Sequence, residues 1–210
     1  MQDNYLPFVK RIYKKYNCHR AVHLGDIVDW HAISFHEKDP AMPSAEDEYI
    51  QAHKQVQKVY KAFPKLDYMM GNHCSLPARK AKMVGLPTGV MLPFKDLWGV
   101  QTWTIHPRYA DLMIDGVIYR HGDKGKGGKT AAANNALAEN CSLVQGHLHA
   151  QGGVSYHANQ GGQIFAMQAG CGADSSHPGM GYSRIYSAKQ ILGCGVIYNK
   201  HRADFIPMPL

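Results

Sequence analysis

Short apolar runs that end in glycine and a polar residue recur along this sequence, and they constrain the fold more than any other feature. The clearest example is residues 66–70, which are followed by Gly71-Asn72-His73. An apolar run of this length that follows a helical pattern and stops at Gly-Asn predicts a buried parallel strand with polar groups at its carboxyl end. Open α/β sheets bind ligands at that end of their strands.

Three further runs end in the same way. The run in residues 19–29 (HRAVHLGDIVD) is followed by Gly25 and Asp26, and the run in residues 116–123 (GVIYRHGD) is followed by His121. The run in residues 141–149 (CSLVQGHLH) is followed by Gly146 and His147. Four strand ends that each deliver a carboxylate, an amide or an imidazole indicate one shared site rather than independent accidents.

The side chains at these ends form an oxygen and nitrogen ligand set that suits divalent ions such as Mn, Fe or Zn. The candidate ligands are Asp26, Asn72, His121, His147 and His149. A bridging carboxylate would hold two such ions about 3.5–4 Å apart, an arrangement that clamps a phosphoryl oxygen and generates hydroxide near neutral pH.

Periodicity predicts three main helices. Residues 4–16 form a basic amphipathic helix, a second helix follows a Ser44/Asp47 capping box and stops before Pro64, and residues 130–140 form an Ala-rich helix. Residues 74–94 are rich in Pro and Gly and are predicted as a loop or lid.

Strands are predicted around these helices, with Asp115-Gly116 as a hairpin turn between two of them. The predicted strands are 21–24, 66–70, 102–105, 109–114, 117–120, 154–157, 164–168, 196–198 and 204–206. Helix and strand alternation followed by hairpins predicts an α/β sandwich of two packed sheets flanked by helices.

Bulk properties narrow the class of protein. The 210-residue chain fits one domain, and its formal charge of +7 favours phosphorylated compounds or nucleic acid as partners. Five cysteines without a CxxC motif indicate neither a disulfide framework nor a zinc ribbon and favour the cytoplasm. No apolar run approaches the roughly 18 residues of a membrane helix, so we expect no membrane partner.

The four motifs together resemble those of the calcineurin-like metallophosphoesterases. Residues 25–29 (GDIVD), 71–73 (GNH), 121–123 (HGD) and 146–149 (GHLH) are similar to the second to fifth motifs of that family, in the same order. The resemblance covers most of the chain. It implies two packed mixed β-sheets flanked by helices, in a four-layer α/β-β/α sandwich, with a dinuclear metal site that hydrolyses phosphate mono- or diesters.

The resemblance also implies a role for each matching residue. Asp26 would bridge both metals, and His149 would bind the first metal. Asn72, His121 and His147 would bind the second metal. His73 is similar to the family's catalytic histidine, which contacts the substrate phosphate or protonates the leaving group.

The chain departs from the family pattern at two places. Cys74 stands where the family usually has Asp or Glu after GNH, and no Asp-x-His motif precedes Gly25. We therefore expect the single domain over residues 1–210 to lack the family's first strand and to bind the first of two ions (Mn, Fe, Zn or Ni) weakly. An unpaired sheet edge predicts either association between chains, as in a homo-oligomer, or an N-terminal segment folded over it.

Further residues complete the predicted site. Arg79 follows GNH closely enough to bind a substrate phosphate, although a solvated surface role is as well supported. Asp29 is expected to orient its neighbours rather than bind metal, and Asp123 is expected to support His121. Residues 122–130 (GDKGKGGKT) lack a glycine that a P-loop requires and predict a flexible basic loop instead. The remaining histidine candidates are His31, His36, His106, His157 and His177.

Two functions of different classes follow. The first is hydrolysis of phosphate esters by a metal-bound hydroxide, with a phosphodiesterase or nuclease favoured over a protein phosphatase because of the positive charge. The alternative is a catalytically weakened relative that binds phosphorylated ligands or nucleic acid without turnover.

Overall fold

The chain folds into a mixed α/β structure. A computed structural model describes residues 1–35, 42–174 and 189–209, apart from the side chain of Asn159. Over these ranges the α-helices are α1 (Tyr5–Lys15), α2 (Ala45–Ala62), α3 (Leu76–Met83), α4 (Phe94–Trp98) and α5 (Ala131–Glu139). The strands are β1 (Val22–His23), β2 (Asp67–Met69), β3 (Thr104–His106), β4 (Leu112–Ile114), β5 (Val117–Arg120), β6 (Ser142–Gln145), β7 (Gly152–Asn159), β8 (Gly162–Ala169), β9 (Gly193–Asn199) and β10 (Arg202–Pro207).

The strands form three sheets among the described residues. Strands β1, β2 and β3 make a parallel three-stranded sheet, in which Val22 pairs with Asp67 and Asp67 with Thr104. A five-stranded mixed sheet has the order β4-β5-β6-β8-β7, with parallel pairing of β5, β6 and β8. Strands β9 and β10 form an antiparallel hairpin.

The central strands β5 and β6 of the five-stranded sheet are buried on both faces. Ala132 and Ala136 of α5 pack on Leu143 at one face. On the other face, Phe165 and Met167 are fully buried in a cluster that Val22, Leu24 and Ile197 adjoin. Helices α2 and α4 cover the three-stranded sheet through a separate aromatic core that contains Val56, Trp98 and Trp103.

A cavity of about 800 Å³ lies between β1 and β9. Each of these strands pairs on one side only within the described ranges. Helix α1 lines the cavity with Leu6, Val9 and Ile12, and the five-stranded sheet lines it with Val117 and Val144. Helix α1 packs against β9 through Phe8, Ile12 and Val196.

Several predicted elements are confirmed. Helix α1 lies within the predicted 4–16 segment, and the Ser44 hydroxyl caps α2 by accepting a hydrogen bond from the Asp47 amide at 3.1 Å. Asp115 and Gly116 have φ values of 49° and 76°, as a tight hairpin between β4 and β5 requires. None of the helices in the described ranges is long and apolar enough to span a membrane.

The prediction of a loop over residues 74–94 is wrong. Helix α3 occupies Leu76–Met83 and a 3₁₀ turn occupies Thr88–Val90. Pro77 does not prevent the helix because it lies in the first turn, where no intrahelical N–H bond is lost. The alanines, lysines and arginine that follow favour a helix.

Candidate metal centre

The four strand ends meet in one place. Asp26 follows β1, Asn72 follows β2, His121 follows β5 and His147 follows β6. One ligand atom from each of Asp26, His121 and His147 lies within 4.8 Å of the other two, which makes this triad a candidate for holding a metal ion. The triad joins the three-stranded sheet to the five-stranded sheet.

Glycines allow the close approach of Asp26 to His121. A Cβ atom on Gly71 would collide with the Asp26 carboxylate and the His121 ring, and one on Gly25 would lie 2.6 Å from His121 Nδ1. Asp26 itself has φ 53°, a conformation that costs a non-glycine residue free energy and that clusters at functional sites. Its Oδ1 accepts hydrogen bonds from the amides of His73 and Cys74 at 3.0 and 3.3 Å.

The His121 ring is held between acceptors on both sides. Its Nδ1 lies 2.5 Å from the Leu24 carbonyl, which can only accept, so Nδ1 carries a proton. Its Nε2 lies 3.0 Å from both Asp26 Oδ2 and Asn72 Oδ1. A neutral ring would direct a lone pair at two oxygens, so a cation, either a proton or a metal ion, is needed at this point.

Electrostatics at the triad follow from burial and the Asp26 charge. Burial raises the pKa of Asp26, but the hydrogen bond and charge of His121 outweigh it and leave the pKa below its usual value. Burial lowers the pKa of His121, whereas the hydrogen bond and charge of Asp26 raise it above its usual value.

His147 and His149 are better suited to the neutral form. Burial is the main cause of the lowered pKa of each ring, and the charge of His121 lowers both further. A histidine must be neutral to bind a metal, so these shifts favour ligation. His147 belongs to the triad and has φ 67°, whereas His149 lines the same cavity without joining the triad.

His73 and Asp29 form a pair beside the triad. His73 Nδ1 lies 2.7 Å from Asp29 Oδ1 and 2.9 Å from the Asp29 carbonyl. Burial lowers the pKa of His73, but the hydrogen bond that it donates to Asp29 and the charge of Asp26 together raise it to about 9. Asp29 thus orients the His73 ring.

The Arg79 side chain contacts the main-chain carbonyl of Asn72. The Asn72 carbonyl accepts hydrogen bonds from Ser75 Oγ at 3.0 Å and from Arg79 Nη1 at 3.4 Å. The Arg79 guanidinium also lies 5.1 Å from the ring centre of Phe35. Arg79 therefore lies next to the segment that carries Asn72.

Cys74 is buried and paired with Tyr68. The Tyr68 hydroxyl lies 2.7 Å from Cys74 Sγ and accepts a hydrogen bond from the Ile27 amide at 3.1 Å. Burial, followed by the charge of Asp26, raises the pKa of Cys74 to about 12, so the thiol is inert. A hydroxyl and thiol pair therefore connects the GDIVD segment to GNH.

Asp123 is paired with a different partner from the one predicted. Its carboxylate forms a 2.6 Å ion pair with Arg108, and it has no hydrogen bond to His121 within the described chain. Its charge nevertheless raises the pKa of His121, as a smaller contribution than that of Asp26.

A buried amide network behind the histidines was not predicted. Gln145 Nε2 donates to Gln168 Oε1 at 3.1 Å, and Gln168 Nε2 donates to the Gly146 carbonyl at 2.5 Å. Asn135 donates to Gln145 and accepts from the Lys126 amide, which fixes the basic 122–130 loop. Gln145 and Gln168 each close an apolar run, the same signal that identified His121 and His147.

The other histidine candidates lie away from the triad or outside the described residues. His106 pairs with Asp67 at 3.0 Å, and His157 pairs with Ser155 at 3.1 Å. The amide of His31 donates to Glu48. His36 and His177 fall outside the described residues.

Comparison with known proteins adds no assignment. No protein-family model matches the chain, and no curated protein matches it at a significant level.

Proposed function

We propose that the protein is a calcineurin-like metallophosphoesterase that hydrolyses phosphate esters, with phosphodiesters or nucleic acid as the favoured substrates. The observation that carries the proposal is the position of His121 Nε2, 3.0 Å from two oxygens, in a cluster that His147 completes. Carboxylate, amide and imidazole donors are the set that Mn, Fe, Zn or Ni accept.

The residues present fit a divalent ion. Asp26, His121 and His147 would hold it, with Asn72 as a fourth donor, and the Leu24 carbonyl fixes the His121 tautomer as an outer partner of a metal-binding histidine does. A bound ion would supply Lewis acidity toward the phosphoryl oxygen and lower the pKa of water.

The remaining residues would act on the substrate. His73, held by Asp29 at 2.7 Å, is the general acid that protonates the leaving oxygen. Arg79, close to the Asn72 carbonyl, binds a phosphate oxygen.

The finer architecture belongs to the same proposal. We assign the described sheets and helices to the four-layer sandwich of the family. The first of two metal positions would then have only Asp26 and His149, so it binds its ion weakly.

A second candidate is a protein that binds phosphorylated ligands or nucleic acid without turnover. The observation in its favour is the triad itself, which contains ligands for one ion and leaves His149 outside. The basic 122–130 loop beside His121 would serve such binding.

The test is metal content together with phosphodiesterase activity. Protein dialysed against Mn²⁺ should retain closer to one ion per chain than two by elemental analysis, and should cleave bis-p-nitrophenyl phosphate. A stable content of two ions would mean that another residue replaces the missing ligands. Retained metal without cleavage of this ester, single-stranded DNA or a phosphomonoester would favour the binding protein.

A further inference from the structure

An exposed apolar segment lies on the polypeptide that leaves the metal centre. Helix α3 begins three residues after His73, and the chain then continues through a 3₁₀ turn to α4. Met83, Val84 and Leu92 are 68%, 74% and 65% exposed, and Leu86 and Val90 are also mostly exposed. We call residues 83–92 the apolar projection.

The apolar projection takes no part in the protein's own core. None of its exposed side chains belongs to a hydrophobic cluster of the described residues. Helix α3 is anchored through Leu76 and Ala81, which are buried, whereas its far end at Met83 is open to solvent. Neighbouring large apolar side chains that remain exposed mark an interaction surface.

The segment that carries the apolar projection is basic, and the first acidic residue after it is Asp96. Residues 72–95 contain Arg79, Lys80, Lys82 and Lys95 and no Asp or Glu. Lys80 Nζ lies 3.8 Å from the ring centre of Phe35, another exposed apolar side chain, so the basic and apolar groups are in contact.

We propose that the apolar projection docks on an anionic lipid surface. Aliphatic side chains beside lysines are the composition of interfacial segments, which bind through buried apolar area and attraction to anionic head groups. The docking is peripheral and needs no membrane-spanning helix. It departs from the expectation, made from the sequence, that the protein has no membrane partner. It does not depend on the proposed phosphoesterase activity.

Other occupants fit the surface less well. A second copy of the chain would bring the same lysines and arginine together, which is repulsive. Protein interfaces are enriched in aromatic residues and depleted of lysine, whereas residues 76–92 contain Lys80 and Lys82 and no aromatic residue. Nucleic acid matches the charge but leaves the aliphatic side chains without a partner, since single strands bind by stacking on aromatic rings.

The experiment is sedimentation of the full chain with vesicles. We expect binding to mixed phosphatidylcholine and phosphatidylglycerol vesicles, weaker binding as salt rises, and little binding to phosphatidylcholine alone. Val84→Asp with Leu92→Asp should weaken binding at least tenfold. The matched control, Met113→Asp with Leu137→Asp, changes exposed apolar residues elsewhere and should bind as the parent does.

The basic residues are tested in the same assay. Lys80→Gln with Lys82→Gln should weaken binding roughly 25-fold, because each lysine near an anionic surface contributes about fivefold. Lys10→Gln with Lys14→Gln, on the exposed face of α1, is the charge-matched control. Thermal unfolding checks each variant, and Val84→Ser with Leu92→Ser replaces the aspartate pair if that pair does not fold.

Several results would overturn the proposal. They are equal binding to neutral vesicles, equal binding by the projection variants and their controls, or no binding at all. A dimer in solution that Val84→Asp with Leu92→Asp dissociates would assign the surface to a second copy. Binding to single-stranded DNA that the lysine pair reduces and the apolar pair leaves unchanged would assign it to nucleic acid.

Discussion

The two sheets that meet at the candidate metal centre differ in how completely they are built. In the five-stranded sheet, the central strands β5 and β6 are buried on both faces and paired on both sides. The three-stranded sheet ends at β1, a strand of two residues beside the 800 Å³ cavity. His121 and His147 therefore follow strands that are paired on both sides, whereas Asp26 follows β1, which pairs on one side only within the described residues.

A sequence pattern shows which chemical group stands at a strand end, but it does not show how well the fold supports that group. The motifs that end in Asp26 and in His147 look equivalent in the sequence. In the fold, the His147 turn is supported by a buried amide network, whereas Asp26 depends on two amides and the His121 ring. We expect the ligands from the five-stranded sheet to dominate metal affinity.

The largest expected effect separates metal binding from proton transfer. His147→Ala should abolish retained metal and activity together, because it removes a ligand from the triad. His73→Ala should keep the metal and lower turnover by about 10²–10⁴-fold, the contribution of a general acid. Elemental analysis and steady-state kinetics of both variants measure this, and loss of metal from His73→Ala would contradict the division of roles.

The second-largest effect concerns the hydrogen bond from Gln168 to the Gly146 carbonyl, which holds the turn before His147. Gln168→Met removes the donor to the Gly146 carbonyl while keeping the side-chain volume, and should reduce metal affinity about 10–100-fold. Isothermal titration with Mn²⁺ gives the affinity. Gln163→Met, at an exposed position in the same strand, is the control and should leave the affinity unchanged.

A matched pair of leucines compares the two regions by stability. Leu143→Ala, at a fully buried position between β6 and α5, should lower the free energy of unfolding by roughly 2–5 kcal/mol. Leu24→Ala, beside the cavity next to β1, should cost about 1 kcal/mol, since less contact is lost. Urea denaturation measures both, and equal losses would mean that the β1 edge is packed as tightly as the five-stranded sheet.

The smallest effect is electrostatic and lies in the three-stranded sheet. Asp67 pairs with Arg20 at 2.8 Å and with His106 at 3.0 Å. Burial raises the pKa of Asp67, but its hydrogen bonds to Arg20 and His106 lower it below the usual value. A lowered folded-state pKa gives stability that is present above the unfolded value near pH 4 and is lost as pH falls through the folded value.

Asp67→Asn should therefore lower the free energy of unfolding by about 1 kcal/mol at pH 7, a small effect because Arg20 is half exposed. The loss should be smaller under acid conditions, where Asp67 is protonated. Urea unfolding at neutral and acid pH checks this. Asp3→Asn, at an exposed position, serves as the control, and a difference that grows on acidification would show that the sign is wrong.

Much of the fold followed from local patterns. The Ser44 cap, the Asp115-Gly116 turn and α5 depend on neighbouring residues, so the sequence predicted them. Helix α3 was missed because Pro77 and the later glycines indicate a loop, although Pro77 is harmless in a first turn. Residues 109–114 contain a shorter strand than predicted, since Tyr109 has φ 69° and β4 starts at Leu112.

The sequence by itself determined which chemical groups stand at the strand ends, because an apolar run closed by glycine and a polar residue is a local signal. Only the tertiary structure decided which of them share a site. It brought Asp26, His121 and His147 together, left His149 outside this triad and paired Asp123 with Arg108. The physical reason is that strand order and sheet packing, not sequence spacing, set the distances between groups that are far apart in the chain.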